Sequence, residues 1–206
     1  MMHKTAMIVA CVLFFSYAHA VEPVGKILQL INDVDITSLS TGEKITPQAG
    51  FVLNTDHKIR TGKRSYAEIL LNNGTRIQMR DITVLNVSSL KEDKTDEPTR
   101  LRLLTGKLRV TVKKVFTKGH TLILKTPTAI AGIRGTDFGV IATINETKII
   151  VFTGKLDVAN ANEKIIKSYQ LRDREETDVK KDAPPLQPRS VPEQVINTWF
   201  ERYDID

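Results

Sequence analysis

Thr126-Pro127-Thr128-Ala129-Ile130-Ala131-Gly132-Ile133-Arg134-Gly135-Thr136-Asp137-Phe138-Gly139-Val140 is the stretch on which the reading of this chain turns. It opens with a stop, because proline has no backbone donor and drives the residue before it towards an extended conformation. Three glycines follow within eight positions and permit a tight or positive-φ path. Arg134 stands between two of them, and a β alternation begins after it.

Outward from this stretch, period-2 alternation recurs and helical periodicity is nearly absent until the end. Strands are predicted over Gly25 to Ile31, Val34 to Ser38, Ser65 to Leu71, Thr75 to Met79 and Ile82 to Val87. Further strands are predicted over Arg100 to Leu104, Leu108 to Lys113, Thr121 to Lys125, Phe138 to Thr143 and Thr147 to Phe152. Asn72-Asn73-Gly74 is a hairpin signal, since Asn and Gly tolerate the positive φ of tight β turns. Lys91 to Pro98 is a polar, charged loop. Thr-Gly-Lys occurs at Thr61, Thr105 and Thr153, each time between extended segments. It is either a degenerate repeat of one hairpin corner or simply a good turn, and Thr105-Gly106-Lys107 is expected to be a turn. The fold class expected is all-β, a sandwich or an irregular β-solenoid of short strands with a short C-terminal helix.

The ends of the chain have a different character. Lys4 precedes an apolar run, Thr5 to Tyr17, that is too short to span a bilayer. Ala18-His19-Ala20 has the small-x-small form of a signal-peptidase site. Residues 1–20 are therefore expected to be a signal peptide, cleaved after Ala20, and the product to be periplasmic or secreted without a transmembrane segment. Ile8-Val9-Ala10-Cys11 also fits the loose form of a lipoprotein site, but it would leave Leu13, Phe14 and Phe15 on the mature side. Without Cys11 no cysteine remains, which removes disulfides, thiol nucleophiles and cysteine metal sites from consideration. The β domain is expected over 21–175. A proline-rich linker is expected over 176–192, with Ala183 to Pro192 unsuited to a sheet. A short helix is expected over 193–206. Val195, Ile196, Trp199 and Tyr203 would form one apolar stripe on that helix, docking on the chain's own domain or on a partner.

The chain carries a formal charge of +6, and losing Lys4 with the signal leaves +5. From Pro98 to Thr136 there is no acid but there are nine cations: Arg100, Arg102, Lys107, Arg109, Lys113, Lys114, Lys118, Lys125 and Arg134. In Leu108 to Lys113 the cations alternate with apolar residues, which sets Arg109 and Lys113 on a solvent face. Arg109, Lys113, Lys114 and Trp199 are thus the candidate contacts for a partner or an anionic envelope polymer. Nucleic acid is disfavoured, since Phe116 is the only aromatic residue in the stretch. After the signal, His57 and His120 are the remaining histidines, and neither has metal-ligand spacing. No nucleophile elbow or phosphate loop is present either, so no cofactor is expected and the chain reads as non-enzymatic.

Four places in order resemble the FecR domain, the periplasmic module of iron-dicitrate-type regulators. They are Ile59-Arg60-Thr61-Gly62 with Ser65 to Ile69, Leu71 to Ile77, Leu104 to Val110, and Thr126-Pro127 through Phe138 with Phe152 to Leu156 closing. The resemblance extends over Val24 to Leu171. It implies an all-β periplasmic module and assigns Thr126, Pro127, Gly132, Arg134, Gly135, Thr136 and Phe138 to the family signature, mainly as structural residues. For Arg134 two roles stand open: a bidentate contact to an anionic ligand, or a buried guanidinium pinning the crossover through backbone carbonyls or Asp137. In the best-known members the module passes a signal from an outer-membrane receptor to a cytoplasmic sigma factor. Here no cytoplasmic segment precedes residue 20, so a free-standing sensor or interaction module with an envelope protein partner is expected.

Overall fold

A computed structural model describes residues 23–89, 99–113 and 122–201. The expected signal peptide and Cys11, the loop 91–98, Lys114, Phe116, Lys118, His120 and Tyr203 lie outside the described residues. Seventeen strands and one helix are present among the described residues. They are β1 (Pro23–Ile31), β2 (Val34–Ser38), β3 (Lys44–Ile45), β4 (Val52–Asn54), β5 (His57–Thr61), β6 (Tyr66–Leu71), β7 (Arg76–Met79), β8 (Val84–Ser89) and β9 (Thr99–Thr111). They continue as β10 (Leu122–Lys125), β11 (Ala129–Ile133), β12 (Asp137–Ala142), β13 (Glu146–Thr153), β14 (Leu156–Asn160), β15 (Ser168–Leu171), β16 (Glu175–Lys180) and β17 (Arg189–Ser190), with α1 (Glu193–Glu201) last.

The register resolves these strands into two sheets that share β9. Sheet 1 runs β4-β1-β6-β7-β9-β12-β13-β16-β17. Sheet 2 runs β3-β2-β5-β8-β9-β10-β11-β14-β15. All pairings are antiparallel except β9 with β10. One hydrophobic cluster draws on both sheets: Ile27, Ile69, Ile77, Val110, Phe138 and Val151 from sheet 1 meet Ile36, Ile59, Leu85, Leu103, Leu124 and Val158 from sheet 2. Alternation along each strand sends these side chains inwards and leaves polar ones outside, as a half-solvated antiparallel sheet requires.

The Thr-Gly-Lys triplets mark where the chain changes sheets. The first joins β5 of sheet 2 to β6 of sheet 1, and the third joins β13 of sheet 1 to β14 of sheet 2. The second is not the expected turn. β9 runs straight through it, pairing with β8 up to Thr105 and with β12 from Gly106 onward. A strand that leaves one sheet for another must bend sharply, and the bend falls at Gly106 with φ 105° and at Gly154 with φ 103°. Glycine reaches this region without strain.

Buried threonines lock these corners. Lys107 N donates to Thr83 Oγ1 at 2.9 Å, and Thr136 Oγ1 donates to the carbonyl of Lys155 at 2.7 Å. A Cβ on Gly106 would lie 2.4 Å from the Cα of Thr83, and one on Gly154 would lie 3.0 Å from the carbonyl oxygen of Gly135. Thr61 Oγ1 accepts from Thr83 N at 3.0 Å and so ties the first corner to the second.

Two further expectations change. Ala129–Ile133 is a full strand, β11, between β10 and β14, where the sequence suggested only a glycine-rich crossover. Residues 176–192 are not a free linker. β16 spans Glu175–Lys180 against β13, and Arg189–Ser190 pairs with it in spite of the neighbouring prolines. The prolines fall beside the paired residues: Pro185 is buried, and Thr177 Oγ1 and Leu186 N each bond across the intervening loop.

Gly106 and Gly132 separate a conformational requirement from a mere preference. Gly106→Ala is expected to destabilise the protein by roughly 3 kcal/mol or more, combining positive-φ strain with the Thr83 collision. A Cβ on Gly132 meets nothing within 4 Å, so Gly132→Ala is expected to stay within about 1 kcal/mol of the parent. Urea denaturation of the two variants checks the contrast; equal losses would refute the corner account.

Candidate functional site

The outer face of sheet 1 holds a connected group of interacting side chains. Register aligns Gln78 of β7, Arg109 of β9, Gly139 of β12 and Ile150 of β13 in one row. Arg109 grips Asp137 with two parallel bonds, Nε to Oδ1 at 2.8 Å and Nη2 to Oδ2. Thr111 Oγ1 adds a third bond to Asp137 at 3.3 Å, and the Arg109 guanidinium lies 5.2 Å from the centre of the Phe152 ring. Both charges are largely shielded from water, with side chains 28% and 19% exposed. A two-pronged pair in that setting is geometrically fixed, unlike an exposed ion pair.

Gly139 exists in this row as a seat. A Cβ there would fall 2.7 Å from the Trp199 ring. The indole of α1 therefore lies directly on the strand backbone, its ring 6.1 Å from Phe152 at an interplanar angle of 63° and 4.1 Å from Lys107 Nζ. This is an edge-on aromatic pair capped by a cation. The helix is led there by Val191, which is buried and bonds through its N–H to the carbonyl of Arg174, and by an Arg174–Glu193 ion pair of 3.8 Å. Beside it lies a cavity of about 310 Å³ lined by Arg109, Asp137, Phe152, Arg174, Glu193 and Ile196.

The expected contacts are distributed differently from the sequence reading. Arg109 is engaged with Asp137 and Phe152, and Trp199 is taken up by the chain's own sheet, so neither is a free outward contact. Of the two docking modes expected for the helix, the one on its own domain is present. Lys113 is exposed.

The signature residues serve the fold in several ways. Thr126, Thr128 and Thr147 are buried in a hydroxyl cluster, with oxygens 2.7 and 2.8 Å apart, and Thr128 donates to the carbonyl of Val179 at 2.9 Å. This ties the loop between β10 and β11, in sheet 2, to β13 and β16 of sheet 1. Pro127 shapes the loop, Gly132 lies on the outer face of sheet 2, and Gly135 (φ 61°) and Thr136 form the corner to β12. Phe138 is wholly buried. Arg134 corrects one of its two expected roles: its side chain is exposed, and Asp137 turns to Arg109 instead. Arg134 lines an open cleft of about 490 Å³ with Lys155, Arg172 and Asp173.

His57 is 7% exposed, packs on Phe51 at 5.6 Å, and accepts from Asn54 N at 3.3 Å through Nδ1. Burial pulls its pKa below the ordinary value, against the opposing pull of Asp56, which favours a neutral core imidazole. Among the described residues no three His, Cys, Asp or Glu side chains are grouped to hold a metal ion. Sequence reasoning missed the seat at Gly139, although a glycine at an outward strand position is itself a signal of close approach.

Residues 57–157 match the family described as FecR protein. The chain carries a FecR domain. The match contains all four resembling segments and is shorter than the span inferred from the sequence. Two crystal structures of a protein assigned as an anti-sigma factor from Parabacteroides distasonis share the fold, each with a TM-score of 0.57 and 19% identity. Each alignment covers 69% of this chain and 63% of the other, less than two thirds of its length. No curated protein matches the chain. Among the described residues of the FecR-domain chain, no helix is long and apolar enough to cross a membrane.

Trp199 is the only tryptophan, so its emission reports the seat directly. Gly139→Val is expected to push the indole off the sheet, shifting emission to the red and raising its accessibility to acrylamide. Emission and quenching identical to the parent would show that Trp199 does not rest on Gly139.

Proposed function

We propose that this chain is a non-catalytic periplasmic interaction module that works in envelope signalling through a protein partner. The observation that carries the reading is the FecR domain over residues 57–157, and the signal-like residues 1–20 supply the compartment. The fold likeness to an assigned anti-sigma factor is consistent with a regulatory role. The chemistry of the face agrees with binding rather than turnover. Asp137 is neutralised by Arg109, Glu68 is paired with Arg76, and His57 is a buried core residue. Lys148, Glu176, Asp178 and Arg189 form one ion-pair network there, a surface of mutually compensated charge.

Under this reading the tail helps to define the surface. Strands β16 and β17 and helix α1 extend sheet 1 beyond the family match, so a partner meets a face completed by Trp199. The alternative of a polymer bound through Arg109 is disfavoured by the Asp137 grip on that side chain.

Cell fractionation of the native host with mass spectrometry of the protein's N-terminus tests the compartment, and in-cell cross-linking of a tagged chain tests the partner. The expected outcome is a periplasmic species beginning at Val21 that cross-links to a defined envelope protein. A full-length cytoplasmic species would overturn the proposal.

A further inference from the structure

The register of sheet 2 aligns a row of outward side chains across six strands. Lys44 of β3 pairs with Thr37 of β2, Thr37 with Lys58 of β5, Lys58 with Asn86 of β8, Asn86 with Arg102 of β9, and Arg102 with Lys125 of β10. Their strand neighbours Ile36, Ile59, Leu85, Leu101, Leu103 and Leu124 are buried, so the row faces away from the core. Adjacent strands lie about 4.8 Å apart, which puts Lys125 one strand and Lys58 two strands from Arg102, about 5 and 10 Å at the backbone. The row contains no acid. Nearby on the same face, Asp35 is held by Arg60 Nε at 2.7 Å and Asp157 accepts from Gln170 Nε2 at 3.1 Å.

At its β10 end the row opens into a cleft of about 590 Å³. Arg102, Lys125 and Lys181 line it, facing one carboxylate, Asp182, which accepts from Asn162 Nδ2 at 3.1 Å. Leu104, Pro127 and Ile144 supply an apolar wall. No ion pair with a described residue engages Lys58, Arg102, Lys125 or Lys181. This contrasts with sheet 1, where Arg76, Arg109, Lys148 and Arg189 are all paired.

We propose that this row and cleft form a binding track for a linear polyanion with a non-aromatic backbone. Cations spaced by strand separation, rather than gathered at one point, match anionic groups strung along a chain. Arginine takes a phosphate or carboxylate group with two bonds, and lysine adds a point charge that follows the ligand. No aromatic side chain stands in the row, so it offers no platform on which bases could stack. The track is separate from the sheet 1 face proposed for a protein partner.

Titration of the full chain with inorganic polyphosphate of defined length, followed by calorimetry at several salt concentrations, tests the track. Binding should weaken steeply with salt, with a slope that counts the phosphates engaged. Arg102→Glu with Lys125→Glu should lower affinity by at least about tenfold, since it reverses both central charges of the track. Lys26→Glu with Lys63→Glu makes the same charge change at exposed positions outside the row and cleft and should have little effect. The milder Arg102→Gln with Lys125→Gln repeats the test without introducing repulsion, and near-ultraviolet circular dichroism confirms that each variant is folded. Equal weakening by both Glu pairs would mean that only net charge matters and would overturn the proposal. So would displacement of polyphosphate by orthophosphate at equal phosphate concentration, or single-stranded DNA binding more than about tenfold tighter than polyphosphate of equal charge. Loss of polyphosphate binding with the envelope cross-link intact would separate this track from the protein-partner surface.

Discussion

One strand belongs to both sheets, and the rest of the structure depends on how it crosses. β9 begins in sheet 2 beside β8 and β10 and ends in sheet 1 between β7 and β12. The backbone can make that passage only at a residue free to take φ near 105°, and Gly106 is that residue. Because β9 is central in both layers, its bend fixes the offset between them. It thereby sets which side chains meet in the shared core. Thr83 then closes the corner with a hydroxyl that satisfies Lys107 N. Without it that half-buried amide would lose its side-chain acceptor, at a cost of about 1 kcal/mol.

The same device recurs at Gly154, where Thr136 takes the place of Thr83. The family signature thus has a physical meaning. Its glycine and threonine turn the chain from β11 into β12. Its Thr-Pro-Thr segment supplies two hydroxyls that reach Thr147 and Val179 across the layers. Such a cluster is favourable only when all its members are satisfied, so it specifies one arrangement of the two sheets. Beyond the signature, each sheet spends its outer face differently. Sheet 1 pairs Arg76, Arg109, Lys148 and Arg189 and receives Trp199, while the cations of the row on sheet 2 have no ion pair among the described residues.

Most strands were legible in the sequence because a half-buried antiparallel strand leaves a period-2 pattern. The hairpin at Asn72-Asn73-Gly74 was legible because its residues suit positive φ, and Gly74 has φ 79°. The all-β class and the family followed from the same segments. The corners were not legible as corners. Thr-Gly-Lys has the same local chemistry whether the chain folds back on itself or passes to another sheet, and only the partner strands decide. Ala129–Ile133 was missed because glycine and alanine carry little strand propensity, yet it is held on both sides by β10 and β14. Residues 176–192 were misjudged for the converse reason: prolines excluded a sheet locally, while Arg189 and Ser190 fit between them. At the candidate site, sequence exposed Arg109 as outward but not its grip on Asp137, which is 28 residues away and comes opposite only through β9–β12 pairing. Likewise, the Lys58–Arg102–Lys125 row exists only in the register.

β9 spans two layers and should therefore behave as a single cooperative element. Native-state amide hydrogen exchange along Thr99 to Thr111, followed by nuclear magnetic resonance, measures this most directly. The predicted result is that protected amides on both sides of Gly106 exchange through one opening, with the same free energy and the same dependence on denaturant. Two distinct openings, one for the sheet 2 half and another for the sheet 1 half, would contradict it, because the layers would then fold and open as independent units.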